Sequence, residues 1–315
     1  MAQQEPPLVS VIIPAWNCGR TLEIAAQSIL RQTLKSLELI IVDDGSEDDT
    51  ESVARAIAKR DNRVRVAQSS PSSLRRFSKS GKNTNAGWNA RNKGMELARG
   101  RYVTFQDSDD WSLLNRLEIQ LYLIQKLGVL HLTTSCFWAE EKWSGACLNL
   151  SSFQSLGGRL DSSQDSRALK ELAKKCEGLF SKTLPGSFYR SIPFDIKMWK
   201  PVRMLFFPRF DSFPGAAGPS FFSASVSPDI QFRPLNGRQW PSASGRGADR
   251  DFAYQVAAKF GSSAHVDIPL YAWSTPTEFR TPWPLDRLLS LGGSCESLLF
   301  GVSDTHPLQP TSGKS

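Results

Sequence analysis

The sequence predicts an α/β fold in which a mostly parallel sheet is flanked by helices. Two observations lead to this prediction. Short, β-branched apolar runs alternate with amphipathic helical segments from about residue 8 to residue 138, and strands separated by helices form βαβ units with parallel strands. Several of these apolar runs also end abruptly in polar or acidic residues. The second half of the chain is less regular, so the prediction is an α/β domain with an irregular second half.

The first half supplies most of the predicted sheet. Its strands are the apolar runs Val9–Pro14, Leu37–Val42, Arg63–Ala67, Arg101–Gln106 and Val129–Phe137. Runs of this length and composition are typical of buried parallel strands. The intervening helices are predicted over Thr21–Gln32, Thr50–Lys59, Ala86–Arg99 and Leu113–Leu127.

The second half shows periodicity only in places. Helices are predicted over Ser163–Glu177 and Asp249–Phe260, with a strand over His265–Trp273. Between them, Phe206–Gly247 is rich in Phe, Pro, Gly and Ser. Irregular stretches of this length inside a compact domain are usually functional or mobile. The predicted organisation is a tail over 1–7, one half over 8–138, a second half over 139–285 and a tail over 286–315.

Composition narrows the class of protein. Of 315 residues, 40% are hydrophobic and 22% charged, which indicates a globular chain and excludes a disordered one. No apolar run reaches the length of a membrane helix, and the first residues lack the pattern of a secretory signal. The five cysteines are odd in number and contain no CxxC spacing, so neither a disulfide framework nor a thiolate zinc site is expected. We therefore expect a soluble protein of the reducing cytoplasm.

Acidic residues follow two of the predicted strands, and an aromatic turn follows a third. The three segments are Pro14-Ala15-Trp16-Asn17, Asp43-Asp44-Gly45-Ser46 and Asp107-Ser108-Asp109-Asp110. Ligands of parallel sheets bind at the carboxyl ends of the strands, so these segments are expected to converge on one edge. Five carboxylates there repel each other unless a cation joins them, and oxygen ligands suit Mg²⁺ or Mn²⁺. The pattern predicts a divalent metal together with a diphosphate ligand.

A basic segment precedes the second acidic cluster. Residues 71–101 contain eight Lys and Arg against one Glu, in a chain whose formal net charge is +7. This cluster favours an anionic ligand, with a solvated surface as the alternative reading. A nucleic-acid partner is disfavoured because the acids at the strand ends would face its phosphates.

Three ordered segments resemble family 2 glycosyltransferases, which have the Rossmann-like GT-A fold. They are VSVIIPAWN, LELIIVDDGSEDDT and NAGWNARNKGMELARGRYVTFQDSDDW, together covering roughly residues 8–112, and GADRDFAYQVAAKFG over 247–261 is a weaker echo. The resemblance implies an inverting transferase that moves one sugar from a nucleotide-diphosphate donor, with UDP-sugars the commonest, to a glycan or lipid-linked hydroxyl. It also implies Mn²⁺ or Mg²⁺ as cofactor, donor binding by residues 8–138, acceptor binding by residues 139–285, and at most peripheral membrane contact.

The nucleotide site is assigned through this resemblance. Residues expected to contact the nucleoside or its phosphates are Pro14, Ala15, Trp16, Asn17, Asp43, Asp44, Arg91 and Asn92. Within this set, Trp16 is expected near the base, Asp44 is expected to hydrogen-bond the base or ribose, and Asp43 is expected to support Asp44. A packing role in the core is the alternative for Trp16.

The reacting end is assigned in the same way. Asp107, Ser108 and Asp109 carry the Asp-X-Asp pattern that holds the donor diphosphate, with Asp107 and Asp109 as metal ligands. Asp249 aligns with the general base that removes the acceptor proton. Because Asp249 directly precedes a predicted helix, a capping role is the alternative, and Asp251 is the second candidate base.

The sequence departs from the family pattern in two places. Ala248 stands where a Glu often precedes the base, and Arg238-Gln239-Trp240 scrambles the Gln-x-x-Arg-Trp motif of processive synthases, which favours a non-processive enzyme.

Two other classes of protein, receiver domains and haloacid-dehalogenase phosphatases, also place acids at strand ends, but this chain lacks the other residues of their motifs. The surviving alternatives are a sugar-nucleotide nucleotidyltransferase, which would need a glycine-rich phosphate loop, and a catalytically silent nucleotide- or glycan-binding protein.

Overall fold

The computed structural model describes residues 5–70, 85–139, 145–197, 199–208, 220–238, 247–274, 283–291 and 295. Its strands are β1 (Val9–Ala15), β2 (Leu37–Asp43), β3 (Val64–Gln68), β4 (Tyr102–Phe105), β5 (Trp111–Ser112), β6 (His131–Trp138), β7 (Ala146–Leu148), β8 (Phe221–Ser223), β9 (Ser263–Trp273) and β10 (Leu289–Leu291). Its α-helices are α1 (Gly19–Leu30), α2 (Thr50–Arg60), α3 (Trp88–Leu97), α4 (Arg116–Leu127), α5 (Leu150–Ser155), α6 (Ser166–Cys176), α7 (Leu179–Thr183), α8 (Gly186–Ser191), α9 (Phe194–Lys197), α10 (Lys200–Phe206), α11 (Ala248–Phe260) and α12 (Leu285–Leu288). Within these ranges, no helix combines the length and apolarity that crossing a membrane requires.

Across the described residues, one sheet in the order β3-β2-β1-β4-β8-β6-β9-β5 forms the centre of the fold. β1 pairs in parallel with both β2 and β4, and β2 pairs in parallel with β3. β8 runs antiparallel between β4 and β6, while β6 and β9 are parallel. Only β8 and β5 oppose the common direction, which confirms the predicted mostly parallel α/β sheet.

The strands form because their side chains are buried on both faces. On β1, Val9, Val11 and Ile13 face a core that includes residues of α1, α2 and α4. Ile12 faces the opposite core, which includes residues of α3 and α11. Burial on both faces explains why the sequence of each central strand reads as a continuous apolar run without polar alternation.

The structure differs from the predicted elements where strands are very short. Trp111–Ser112 pairs with β9, so the helix predicted from Leu113 begins instead at Arg116. The irregular stretch 206–247 contains β8 and two short 3₁₀ turns at Ala224–Val226 and Leu235–Gly237, while 209–219 and 239–246 lie outside the described residues. Two- and three-residue strands exist through tertiary pairing alone, so no local pattern in the sequence predicts them.

The expectation that the cysteines stay unpaired is wrong for two of them. Cys147 of β7 forms a disulfide with Cys295, across a Cα–Cα distance of 5.8 Å. β10 pairs antiparallel with β7 in the same region, so ordered structure continues past the predicted boundary at residue 285. A separation of 148 residues between the two cysteines explains why spacing did not reveal the pair. The last 20 residues lie outside the described part.

A buried carboxylate joins the strands at the end of the sheet remote from the acidic segments. Glu38 of β2 is 2% exposed and accepts hydrogen bonds from Ser10 Oγ (2.7 Å), the Arg99 backbone N–H (2.8 Å) and Arg65 Nη1 (3.1 Å). Burial alone would raise the pKa of Glu38, but these donors outweigh it and lower the pKa. The ionised side chain therefore stabilises the register of β1, β2 and β3.

We expect Glu38→Gln to lower the free energy of unfolding by about 2 kcal/mol, because the buried Ser10 hydroxyl and two arginines lose their anionic acceptor. Glu51→Gln is the matched control, since Glu51 is 40% exposed in an i,i+4 pair with Arg55 and should cost less than about 0.5 kcal/mol. The contribution of Glu38 is complete above its ordinary pKa of 4.5 and is lost as pH falls through its lowered folded value. Denaturant unfolding of the two variants at neutral and acidic pH measures this, and equal losses would contradict it.

Candidate active site

The register of the parallel strands brings the predicted segments to one edge. Ala15 at the end of β1 lies opposite Asp43 at the end of β2. The Asp44 N–H donates to the Ala15 carbonyl (2.8 Å), and the Gln106 N–H donates to the Ile12 carbonyl (3.0 Å). The three segments that follow β1, β2 and β4 therefore meet at the carboxyl edge of the sheet, as the sequence predicted.

The turn after β1 is held by the turn after β2. Asn17 has a positive φ of 47°, its N–H donates to Ser46 Oγ (3.0 Å), and its Oδ1 accepts from the Glu47 N–H (2.8 Å). Asp43 accepts from the Ser46 hydroxyl in turn. Trp16 between these anchors is half-buried, so it is not enclosed in the core, and its stacking on a base remains a prediction.

Asp44 lies in a polar pocket beside these turns. It is 6% exposed and accepts hydrogen bonds from Ser69 Oγ (2.5 Å) and Asn85 Nδ2 (2.9 Å). Ser69 follows β3 and Asn85 precedes α3, so three segments meet at one carboxylate. The arrangement fixes Asp44 in a single orientation, which suits a role in recognising the edge of a base or ribose.

Arg91 of α3 lies between Asp107 and Asp249. Its guanidinium is 7% exposed, donates to Asp107 Oδ1 (2.5 Å) through Nη2, and brings Nε within 4.0 Å of Asp249 Oδ1. Burial tends to lower the pKa of Arg91, but the charges of Asp107 and Asp249 raise it overall. The sequence predicted Arg91 as a nucleotide ligand; the structure places it between the Asp-X-Asp segment and the predicted base.

The close approach of Arg91 explains a glycine. Gly87 is the N-cap residue of α3 and has a φ of +61°. A Cβ there would lie 3.0 Å from both Arg91 Nη1 and Pro14 Cβ. Both the backbone conformation and the lack of space favour glycine at this position. Gly87 thereby allows α3 to start directly beneath the β1 turn.

Asp249 lies within the first turn of α11, which begins at Ala248 after the N-cap residue Gly247. The capping position itself is therefore occupied by Gly247. The carboxylate of Asp249 is 37% exposed. Loss of solvent and the charge of Asp107 raise the pKa of Asp249, whereas the charges of Arg91 and Arg238 lower it. The second candidate base, Asp251, is 1% exposed and pairs with Arg233 Nε (3.0 Å), so it has a structural partner of its own.

The acids after β4 occupy distinct surroundings. Asp109 is exposed, and partial loss of solvent and then the charge of Asp107 raise its pKa. Asp110 is buried and accepts from Tyr271 Oη (3.1 Å) and the Ser274 N–H (3.0 Å). Burial, followed by repulsion from Asp107 and Asp109, raises the pKa of Asp110 to about 8. Ser108 hydrogen-bonds the Cys18 thiol.

Three residues of the site were missed by the sequence analysis. The Tyr271 hydroxyl of β9 accepts from the Asp107 N–H (3.0 Å) and donates to Asp110, so it positions both acids. Arg116, fully buried, donates to the Phe105 carbonyl (3.2 Å) and lies 5.7 Å from the Tyr271 ring. Arg238, also buried, donates to the Asn85 carbonyl (3.2 Å), and its charge lowers the pKa of Asp249. No local motif marks these positions, because each reaches the site from a distant element.

Asn92, the other predicted nucleotide ligand on α3, makes contacts away from the acids. Its Nδ2 donates to the Phe232 carbonyl and its Oδ1 accepts from the Phe232 N–H, both at 2.8 Å. This reciprocal pair fastens the segment before the 3₁₀ turn at Leu235 onto α3. We therefore assign Asn92 to holding the irregular segment in place.

The donor set fits a hard divalent cation that shares ligands with a phosphate. Asp107 and Asp109 supply carboxylate oxygens, which are the ligands that Mg²⁺ and Mn²⁺ prefer. Loss of solvent and then the charge of Asp107 raise the pKa of Asp109, and a cation between the two carboxylates would offset their repulsion. Among the described residues, no group of three or more His, Cys, Asp or Glu side chains is arranged to hold a metal. His265 near the start of β9 hydrogen-bonds Thr133 at the opposite edge of the sheet. A cation here would take its remaining ligands from substrate oxygens and water.

The profile of the family described as "Glycosyl transferase family 2" matches residues 10–149. Residues 10–149 belong to glycosyl transferase family 2. This region contains β1 to β7 and every predicted site residue except Asp249, so the acidic edge is the part of the chain that the family shares. The expected resemblance is thereby confirmed.

Two curated relatives and one solved structure are similar to this chain. The "GalNAc(5)-diNAcBac-PP-undecaprenol beta-1,3-glucosyltransferase" of Campylobacter jejuni is 37% identical over 137 residues, covering 43% of this chain and 40% of the relative. The "UDP-Glc:alpha-D-GlcNAc-diphosphoundecaprenol beta-1,3-glucosyltransferase WfaP" of Escherichia coli is 36% identical over 118 residues, covering 38% of this chain and 41% of the relative. The crystal structure of S. aureus TarS 1-349 superposes with a TM-score of 0.49 at 16% identity, covering 84% of this chain and 60% of that one. The chain thus matches about two fifths of the length of these two curated relatives.

Arg91 offers a test of the site. We expect Arg91→Met to lower the rate of sugar transfer about a hundredfold, because it removes the guanidinium that orients Asp107. It should also move the acid limb of the pH–rate profile to higher pH, since the charge of Arg91 lowers the pKa of Asp249. Lys93→Met is the control, because Lys93 lies on the same helix in an exposed pair with Glu96. If the acid limb of the pH–rate profile did not shift in Arg91→Met, the effect of Arg91 on the pKa of Asp249 would be contradicted.

Proposed function

We propose that the protein is an inverting, metal-assisted glycosyltransferase that moves one sugar from a UDP-sugar to a hydroxyl of a lipid-linked glycan. The observation that supports this most strongly is the Asp107–Arg91–Asp249 arrangement. The buried guanidinium of Arg91 lies between Asp107 of the Asp-X-Asp segment and Asp249 of α11. The donor and acceptor classes follow the names of the two relatives, one of which uses UDP-Glc and both of which act on undecaprenol diphosphate glycans.

In this proposal, the edge of the sheet binds the donor in sequence from base to sugar. Trp16 and Asp44 contact the nucleoside, and Asp43 supports the β2 turn. Asp107 and Asp109 would hold Mn²⁺ or Mg²⁺ together with the donor diphosphate. When bound, such a cation would supply positive charge to offset the charge that develops on the leaving diphosphate. Arg91 and Tyr271 keep Asp107 in place, because their hydrogen bonds reach its carboxylate and its backbone N–H.

Asp249 acts on the acceptor. Its carboxylate removes the proton from the acceptor hydroxyl while the hydroxyl oxygen forms a bond to the anomeric carbon. The bond from that carbon to the diphosphate breaks, and UDP leaves with the electron pair. Attack from the face opposite the leaving group inverts the anomeric configuration. A base of this kind works only when it is deprotonated, so the raised pKa of Asp249 places the acid limb above the usual range of an aspartate.

The test uses a soluble acceptor with the same chemistry. Full-length protein is incubated with UDP-glucose, Mn²⁺ and a short-chain prenyl diphosphate carrying one N-acetylhexosamine, and the product is analysed by mass spectrometry and by NMR of its anomeric coupling. We expect a product one hexose heavier with a β-linkage. UDP-galactose, UDP-N-acetylglucosamine and GDP-mannose are run in parallel. Metal-dependent nucleotide binding without transfer from any donor would instead support the silent binding protein.

A further inference from the structure

Exposed apolar side chains are concentrated on the four short helices α7 to α10. In the described part of the chain, every exposed large hydrophobic residue except Trp138 lies in this region: Leu179, Phe188, Ile196, Trp199, Met204 and Leu205, which we call the 179–205 surface. Trp199 is 68% exposed and Leu179 is 66% exposed. Clusters of exposed apolar residues mark surfaces that meet a partner.

The helices that carry this surface are firmly anchored. Tyr189, Phe206 and Phe207 are buried in one cluster with residues of α6 and α11. The Gly178 N–H donates to the Phe206 carbonyl (2.6 Å), and a Cβ on Gly178 would lie 2.3 Å from the Leu205 carbonyl oxygen. The apolar residues are therefore presented by a packed layer on α11, the helix whose first turn contains Asp249.

The charge of the same segment identifies the kind of partner. Residues 179–206 contain five Lys and Arg against one Asp, and Lys182 and Lys200 are exposed. Protein interfaces are depleted in lysine at their centres, whereas anionic membrane surfaces attract it. Tryptophan is enriched where proteins meet the headgroup region of a bilayer. The combination of Trp199, aliphatic residues and lysines matches an interfacial membrane contact.

We propose that the 179–205 surface docks the protein on an anionic lipid bilayer. The role of this docking rests on the proposed function, because a lipid-linked acceptor is held in a membrane. Tyr189 of α8 and Phe206 of α10 share one buried cluster with residues of α11. Docking through this layer therefore brings α11, and with it Asp249, close to the membrane that holds the acceptor.

The test measures binding to vesicles without any sugar transfer. Full-length protein is sedimented with vesicles of phosphatidylcholine alone or mixed with phosphatidylglycerol. We expect binding to the mixed vesicles that weakens with added salt. The double variant Trp199→Ser/Leu205→Ser should bind at least about tenfold more weakly, and Lys182→Glu/Lys200→Glu should also lose more than about tenfold. Trp138→Ser is the matched control, because Trp138 is 37% exposed on β6 and should leave vesicle binding unchanged.

Among the binding measurements, three results would overturn the proposal. They are absence of binding to mixed vesicles by the wild type, equal losses in the Trp138→Ser control, and self-association of the wild type in analytical ultracentrifugation that the Trp199→Ser/Leu205→Ser variant abolishes. The last would show an interface between protein copies. Circular dichroism of each variant confirms that it is folded.

A transfer assay separates this inference from the proposed function. The Trp199→Ser/Leu205→Ser variant should lose transfer to a membrane-embedded acceptor and keep transfer to the soluble short-chain acceptor. This result would support both the docking surface and the proposed function. Vesicle binding by a wild type that transfers no sugar leaves the docking surface standing and removes the proposed reaction. Equal transfer by wild type and variant to the membrane-embedded acceptor would contradict the docking surface alone.

Discussion

Asp249→Asn is expected to lower kcat by about 10²–10⁴-fold while leaving nucleotide binding unchanged, because the amide cannot accept the acceptor proton. Asparagine keeps the size of the side chain, and the guanidinium of Arg91 nearby still has Asp107 as a partner. Turnover is measured with the soluble acceptor, and nucleotide affinity is measured by calorimetry.

Asp251→Asn is the comparison that separates the two candidate bases. Asp251 is buried against Arg233, so its loss should lower the melting temperature, with kcat per folded molecule falling far less than in Asp249→Asn. Full activity of Asp249→Asn together with an inactive but folded Asp251→Asn would move the base assignment to Asp251.

Asp109→Asn is expected to weaken metal-dependent UDP binding by about a hundredfold and to lower kcat as well, because an exposed carboxylate ligand loses its charge. Turnover and affinity should thus fall together, in contrast to Asp249→Asn. Both are measured over a range of Mn²⁺ concentrations, where the variant should need more metal for half-maximal binding.

Asp107→Asn provides a sharp comparison with Asp109→Asn. The charge of Asp107 raises the pKa of Asp249, so removing it should move the acid limb of the residual activity to lower pH. Asp107 is the acid whose charge raises the pKa of Asp249 most, so Asp109→Asn should move the limb less than Asp107→Asn does. A limb that moves equally in both variants would contradict the arrangement described here.

The first half of the fold was predictable because its signals are local. β1 and β2 are apolar on both faces, and a run such as VSVIIP or LELIIV carries that burial in its composition. The parallel register then forces the residues after each strand to one edge, so the meeting of Asp43, Asp44, Asp107 and Asp109 follows from topology. Asp249 was assigned as the base only through resemblance, since an acid near the start of a helix is common for structural reasons.

The remaining parts of the site depend on contacts between distant segments. Tyr271 meets Asp110 across 161 residues, and the Arg238 guanidinium meets the Asn85 carbonyl across 153 residues. β5 and β8 are too short to carry a periodic pattern, and the Cys147–Cys295 pair joins opposite ends of the second half. The pairing of Arg91 with both Asp107 and Asp249 was equally invisible, because a single arginine in a basic segment reads as a surface residue.

Calorimetric titration of the protein with UDP, in Mn²⁺ and then in EDTA, tests the central claim most directly. GDP and dTDP are titrated alongside, and Asp109→Asn is titrated as the matched variant. We predict tight binding of UDP in Mn²⁺ that is lost in EDTA and strongly weakened in Asp109→Asn. Failure of all three nucleotides to bind in Mn²⁺, or equal binding by wild type and Asp109→Asn, would contradict a metal–diphosphate site at the acidic edge of the sheet.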